Sequence, residues 1–457
     1  MEPPPAAWLC LLPTCVVIAA AIRLRTTLPA ILLGVLTGHL LLDGPRGVAT
    51  LADSLQRQLE TPAVAWVVLV CGLLGALMQL LVLAGGTEAF TRLVVGRVQS
   101  GRAALVVAWL MGLVVFIDDY LNALLVGHAM RPVTDALRVP RERLAYVIDA
   151  TAAPVCLLVP FSTWAVYVAG LLESTAAAEP GQGMALYLQV IPWAFYGWIA
   201  VVLVPATIFG WLPAWGAMRA ADRRVADGGP VAPPGSPGDD AATSPRPIAG
   251  GRLADFLVPV AVLVAATLLS HADALHGVVW ALGAAIVQQG LVRRRMSAGA
   301  LADGIGGGLA AMVPAVATIL LAFMLKDVND RLGLTQFVID GVAPWLRGPT
   351  MPALAFVALA GLTFATGSFW GTYAVALPIV VPLAREVGAD QLAVIGAVVS
   401  AGGFGSHACF FGDTTVLASQ ASGCENLAHA RSQLPYVLFG AVLTTAAYLA
   451  AGLLMNR

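Results

Sequence analysis

At 457 residues, 59% hydrophobic and 11% charged, with a mean hydropathy of +0.84, the chain lies outside soluble globular composition and among polytopic membrane proteins. A net charge of −1 offers no basic face for nucleic acid. The six cysteines, Cys10, Cys15, Cys71, Cys156, Cys409 and Cys424, sit mostly in apolar stretches without C-x-x-C pairing and read as small buried hydrophobes.

Apolar runs and arginine placement set a path for the first half. The run 6–22 lacks the basic leader of a secretory signal and is expected to be a retained span, followed on the cytoplasmic side by Arg23 and Arg25. Run 28–42 returns outward to a charge-balanced external loop with Asp43, Arg46, Asp53, Arg57 and Glu60; run 62–84 comes back in. Residues 87–98 pattern as a helix lying at the cytoplasmic interface.

Two short apolar arms follow, 103–116 and 123–130, around Phe116-Ile117-Asp118-Asp119-Tyr120-Leu121-Asn122. Arms of roughly 15 residues reach about 22 Å as helix, less than the ~20 residues that cross a bilayer. Basic residues flank both outer ends, which predicts a re-entrant hairpin with its acidic tip near mid-membrane. An Asp there costs about 2.5–3.5 kcal/mol, so such carboxylates face a bundle interior or water and mark ion or proton paths. The plainer alternative is an interfacial loop with two solvated acids. Run 144–170 carries Asp149, Thr151, Pro154, Pro160, Ser162 and Thr163, and its two prolines predict a broken helix beside the tip. Run 186–211 returns inward to a Pro/Gly-rich segment, 213–252, expected to be a cytoplasmic linker, disordered over 228–247.

The second half repeats this order. Runs 253–269 and 274–291 are closed by Arg293-Arg294-Arg295, a cytoplasmic marker; 306–325 goes outward and 334–346 is a second interfacial candidate. Arms 351–366 and 373–383 flank the tip Gly367-Ser368-Phe369-Trp370-Gly371-Thr372, run 391–422 is interrupted by glycines around Ser406-His407 and before Asp413-Thr414, and 434–454 is the last span. Segment starts 6, 28, 62, 103, 144 and 186 pair with 253, 274, 306, 352, 392 and 434, an offset between 244 and 249. Five spans and one hairpin per half make the second half inverted, the architecture of many secondary transporters. The expected fold is therefore an all-α polytopic membrane protein with an inverted repeat and broken helices at the midplane: a first half, 1–212, with hairpin 101–137; the linker, 213–252; and a second half, 253–457, with hairpin 351–386. Both termini are expected on the periplasmic side.

Two polar sets result. The first, Asp118, Asp119 and Asn122 against Asp149, Thr151, Ser162 and Thr163, offers the hard oxygen ligands of Na⁺ or Li⁺; the second, Ser368 and Thr372 against Ser400, Ser406, His407, Asp413 and Thr414, is a substrate or ion site. Carboxylates also take protons, and competition between cation and proton suffices for antiport. No enzyme activity and no resident cofactor are expected; Na⁺ and H⁺ are cargo. Alternatives stand beside this: Asp149 paired with Arg131 or Arg143, His407 as a core histidine, and Lys326 and Asp327 as interfacial charges at a span end.

Phe116 to Asn122, Met130-Arg131-Pro132, Thr134-Asp135, Arg141 to Tyr146, Asp149 to Pro154 and Ser162-Thr163-Trp164 resemble the signatures of NhaC-type Na⁺/H⁺ antiporters. So do Trp370-Gly371-Thr372, Asp413-Thr414-Thr415, Ala421 to Cys424 and Gln433-Leu434-Pro435-Tyr436. The resemblance runs from about Pro62 onward, excepting the linker. It implies the wider ion-transporter superfamily, with two re-entrant hairpins and often an elevator-like transport domain, and Na⁺-for-H⁺ exchange in a bacterial inner membrane; a homodimer is compatible with it. The chain departs from the family at Gly405-Ser406-His407 and Cys409 to Asp413, where a carboxylate and hydroxyls are lost from the second set. Relatives also carry amino acids or carboxylates, which makes an ion-coupled transporter of an organic solute the alternative. An intramembrane aspartyl protease is remote, because Phe410-Phe411-Gly412-Asp413 lacks the Gly-x-Gly-Asp element.

Overall fold

The computed structural model describes residues 7–455 apart from 25, 161, 176, 237–249, 271, 272, 347 and 368. Among these every regular element is helical. The first half comprises α1 (Leu12–Leu24), α2 (Thr27–Asp43), α3 (Gly47–Glu60), α4 (Pro62–Leu83), α5 (Gly86–Val95), α6 (Gly101–Val114), α7 (Asp119–Ala136), α8 (Arg141–Thr151), α9 (Ala153–Cys156), α10 (Thr163–Ser174), α11 (Gly183–Val190) and α12 (Phe195–Ile208). After α13 (Gly216–Ala226) come α14 (Ala254–Leu269), α15 (Ala274–Ile286), α16 (Ala298–Arg331), α17 (Leu334–Val342), α18 (Met351–Thr366), α19 (Phe369–Glu386), α20 (Gln391–Ala408), α21 (Asp413–Ser422) and α22 (Asn426–Met455). Six described helices are long and apolar enough to cross a membrane, or up to eight if two bent pairs each count as one span.

Both proline- or glycine-marked breaks are present. Beyond α8 the chain turns through α9 and irregular backbone to α10, and α20 and α21 meet at a 41° bend over Cys409–Gly412. A further break falls in the fifth span, where a 3-10 turn, Ile191–Trp193, bends α11 against α12 by 49°; Pro192 lacks the N–H that would continue the helix.

Several expected boundaries move. The external loop after α2 is largely the amphipathic α3, whose Ser54 is buried while Asp53 and Arg57 are exposed. α7 runs through Arg131-Pro132 to Ala136 rather than ending there. α16 spans 34 residues, so Lys326 and Asp327 lie within it. α22 begins at Asn426 because the Glu425 carboxylate accepts hydrogen bonds from the N–H groups of Leu427 (2.9 Å) and Ala428 (2.6 Å), an N-cap ahead of the apolar run. The linker is ordered up to residue 236: α13 packs on α8 and α22, and Arg224 makes a two-pronged ion pair to Glu142 at 2.8 and 2.9 Å. The rest of the stretch expected to be disordered, from 237 on, lies outside the described residues.

Packing partners exchange between the halves. α1 packs on α2 as α14 does on α15, α2 packs on α16 as α15 does on α4, and α4 lies against α16. That last contact is set by glycine: a Cβ on Gly308 would lie 2.4 Å from the Gly75 carbonyl oxygen, and one on Gly75 would lie 2.7 Å from that of Gly308. Small residues let two membrane helices approach this closely. Helix ends sort to two faces. On one, Trp66 donates to Asp273 (3.0 Å) and Arg331 lies 3.7 Å from Asp43; on the other, Arg143 pairs with Asp222 (2.5 Å) and Arg293 with Asp255 (2.6 Å).

Candidate site at the hairpin tip and the broken helices

Three helix N-termini meet where the acids lie. Asp118 is the N-cap of α7: its backbone is extended and its Oδ1 accepts the Leu121 N–H at 3.0 Å. Asp119 follows in the first turn, Ser162 caps α10 by accepting the Ala165 N–H at 3.0 Å, and Asp413 opens α21. The positive ends of three helix dipoles therefore offset part of the cost of burying three carboxylates. Asp118 and Asp119 are each 1% exposed, which removes the solvated-loop alternative.

The two halves do not form separate sites. Asp119 accepts a hydrogen bond from the Thr414 hydroxyl at 2.7 Å, and Tyr120 donates a short one to Asp413, so the first hairpin binds directly to the second broken helix. Thr163 donates to Asp118 Oδ2 at 3.2 Å, and Ser406 Oγ lies 3.3 Å from Thr414 Oγ1. Asp118, Asp119, Tyr120, Thr163, Ser406, Asp413 and Thr414 thus form one continuous node. Among the described residues no three His, Cys, Asp or Glu side chains converge as a metal-binding group. A cation here would be held by one or two carboxylates together with hydroxyl and backbone oxygens, the donor set of a weakly bound alkali ion rather than a transition metal.

Asp149 belongs to a second node. Its Oδ2 accepts hydrogen bonds from Thr415 (2.9 Å) and Gln433 (2.8 Å) and lies 3.1 Å from His429 Nε2, while its Oδ1 has no hydrogen-bond partner among the described residues. Asp149, Thr415, His429 and Gln433 are all 0% exposed. The expected alternative partners are engaged elsewhere: Arg143 with Asp222, and Arg131 near Asp135 at 3.9 Å. His407 closes this node, its carbonyl accepting from Gln433 (2.7 Å) and its Nδ1 lying 2.9 Å from the Tyr196 hydroxyl. Neighbouring residues of α21 join the two nodes: Thr414 reaches Asp119, and the Thr415 hydroxyl lies between Asp149 (2.9 Å) and the Ser406 carbonyl oxygen (3.1 Å).

Other expected site residues hold backbone. The Asn122 amide nitrogen donates to the carbonyls of Gly112 (2.7 Å), Val115 (2.8 Å) and Thr151 (3.0 Å), tying α6, α7 and α8 at their broken ends and leaving Oδ1 without a partner. Thr151 donates to Val147 O at 2.8 Å, and Ser162 to Cys156 O at 2.6 Å. Thr372 lies 3.2 Å from Thr363 within the second hairpin, and Ser400 bonds Tyr448 at 2.8 Å; Ser368 lies outside the described residues. Phe410 and Phe411 pack into a buried cluster with α1 and α2.

Sequence reasoning missed Tyr120 as a site residue, and with it Thr415, His429 and Gln433. A signal existed for the last two: they stand four apart, on one face of an otherwise apolar helix. Lys326 and Asp327, expected as interfacial charges, lie on a cavity wall. With Asp118, Tyr120 and Trp370 they line a cavity of about 650 Å³ that reaches Gln58 and Thr61 at the α3 face. A second cavity of about 790 Å³, lined by Thr27, Pro233, Ser419, Gln420 and Glu425, approaches α21 from the linker face.

Residues 155–453 match the family model of the Na⁺/H⁺ antiporter family. The chain is 26% identical over 480 residues to an uncharacterized protein of Haemophilus influenzae, across 97% of this chain and 90% of that protein. The crystal structure of the Alcanivorax borkumensis YdaH transporter, described as having an unusual topology, aligns with a TM-score of 0.41 at 14% identity, over 89% of this chain and 88% of that one. With its apolar helices and the family match across most of its length, the chain belongs to the Na⁺/H⁺ antiporter family and is an ion-coupled, multi-pass membrane transporter.

Proposed function

We propose that the protein exchanges Na⁺ or Li⁺ for H⁺ across a bacterial inner membrane, with the cation held at the node of Asp118, Asp119, Asp413, Thr163 and Thr414. The observation that carries this reading is the junction of Asp119 with Thr414 and of Tyr120 with Asp413, which gathers three buried acids from both halves at helix N-termini. Electroneutrality there asks for a cation or protons among the carboxylates, and exchanging one for the other is antiport. The adjacent Asp149 node, with His429 beside it, is a second acceptor through which protons can reach α21. Asn122 and Thr151 contribute by holding the broken helix ends in place. The exchange of packing partners supports an inverted repeat of halves 1–212 and 253–457, and the arginine-rich face that carries the linker fits the cytoplasmic side, with both termini periplasmic.

Purified protein in liposomes with an internal pH dye tests this. Na⁺ or Li⁺ gradients should drive proton movement, and the half-saturating Na⁺ should rise as pH falls, because protons occupy the same carboxylates. A Na⁺ affinity independent of pH, together with solute uptake that requires inward Na⁺, would leave the organic-solute symporter instead.

A further inference from the structure

The cavity beside α3 carries a character that a bare alkali ion does not require. Its walls include Trp66 from α4, Tyr120 from α7, Tyr167 from α10, Phe323 from α16 and Trp370 from α19. At about 650 Å³ it falls within the size range of small-molecule pockets, roughly 300–1,000 Å³. Three of these aromatics have their polar tips occupied: Trp66 Nε1 donates to Asp273 (3.0 Å), the Tyr167 hydroxyl to Trp370 O (3.1 Å), and the Tyr120 hydroxyl to Asp413. The rings are also braced in pairs, Trp66 with Tyr120 at 6.0 Å between centroids and Tyr167 edge-on to Trp370 at 4.4 Å. What Trp66, Tyr120 and Tyr167 have left to offer a guest is aromatic surface.

The charged groups in the lining are two carboxylates, Asp118 and Asp327, and one ammonium, Lys326. Asp118 lies at its inner end with one hydrogen bond to each carboxylate oxygen, so lone pairs remain on both. Asp327, on the α16 wall, has an Oδ2 without a hydrogen-bond partner among the described residues, and Arg331 lies 3.9 Å from it. The one ammonium in the lining, Lys326, is taken up by Asp330 at 2.8 Å. We propose that this cavity is a binding site for organic ammonium ions, alkylated amines above all, held between aromatic faces with Asp118 and Asp327 as counter-charges. An occupant would touch both hairpin tips through Tyr120 and Trp370 and the α4–α16 pair through Trp66 and Phe323. It would therefore lie across the approach to Asp118, and the inference rests on the reading of Asp118 as part of the cation site only for that competition.

The test is calorimetric titration of the full-length protein in detergent with choline and with its neutral isostere 3,3-dimethylbutan-1-ol. Choline is expected to bind saturably and at least about tenfold more tightly than the alcohol. Trp370→Leu should weaken choline about three- to thirtyfold, the range of a cation–π contact, while Trp370→Phe restores most of the affinity. Asp327→Asn, nearly isosteric and at a residue outside the carboxylate node, should weaken choline and leave the alcohol unaffected. Equal affinity for the two compounds, no choline binding, or choline binding untouched by both Trp370→Leu and Asp327→Asn would overturn the proposal. Because binding is read without transport, loss of Na⁺/H⁺ exchange in liposomes with choline binding intact would count against the proposed exchange alone, and the reverse against this inference alone.

Discussion

Asp119 and Asp149 lie in different surroundings, and the difference decides what each substitution should do. Asp119 has Thr414 as its side-chain partner and Asp413 close by, so Asp119→Asn keeps the size while removing one of the charges proposed to hold the cation. A charge-assisted contact is worth about 1.5–3 kcal/mol, which converts to a roughly ten- to hundredfold rise in half-saturating Na⁺, read as Na⁺-driven proton flux in liposomes. Asp149→Asn instead leaves the hairpin-tip node whole and disturbs the one containing His429 and Gln433. Its expected result is retained Na⁺-for-Na⁺ exchange, followed with radioactive sodium, and lost proton coupling; wild-type proton flux in both variants would show that the site lies elsewhere. Acids in apolar segments are conspicuous in a sequence because their cost demands a reason, so Asp118, Asp119, Asp149 and Asp413 were legible. Tyr120 was not, and His429 and Gln433 showed only in their four-residue spacing, because such residues acquire a role only from partners 280 or more positions away.

At the scale of elements, ion pairs at the helix ends do what apolar packing cannot, since lipid removes the hydrophobic drive between spans. Arg143 grips Asp222 at 2.5 and 2.6 Å and Arg224 grips Glu142, fixing α13 across the base of the first hairpin. Glu142 is only 4% exposed on its side chain, so Arg224→Ala strands a nearly buried carboxylate and should cost about 2 kcal/mol, seen as a lower melting temperature in detergent; Glu142→Gln in that background should recover part of it. On the opposite face Asp273 joins α15 to α4. Burial alone would raise its pKa, but hydrogen bonds from Trp66, His276 and the Leu275 N–H outweigh this and hold the carboxyl below its usual range. A depressed folded pKa stabilises above the unfolded value of about 3.9, and the contribution is lost as pH falls through the folded pKa. Melting temperature should therefore drop below about pH 4, and drop less in Asp273→Asn. The order of the helices and the breaks after α8 and α20 followed from apolar runs, prolines and glycines, whereas the break at Ile191–Trp193 was not read. The ordering of the linker did not, because its anchors are Glu142 and Asp222 side chains whose partners are distant in sequence or lie in a segment of disordered composition.

For the molecule as a whole, the sorting of charged helix ends bears on which face meets the cytoplasm. Arginines at helix ends and in short connections follow the inside-positive rule, and Arg131, Arg141, Arg143, Arg224, Arg293 and Arg295 all belong to the face that carries α13. The other face holds Asp43, Arg331 and the Trp66–Asp273 contact, a nearly balanced set. Periodicity could supply the order of the apolar runs, but only the three-dimensional pairing of ends shows that residues so far apart share a surface. A single cysteine at Ala298, exposed at the start of α16, should label from the cytoplasmic side only, and one at Ala52, exposed on α3, from the outside only. Of the native cysteines only Cys15 is exposed, so Cys15→Ser supplies a quiet background without disturbing the five buried ones. Labelling with a membrane-impermeant maleimide in intact and then permeabilised spheroplasts reads the side directly. Reversed labelling at both positions would invert the topology while leaving the sites intact; labelling of both positions from one side would mean that the ends do not sort across a bilayer, and the inverted repeat would fall with it.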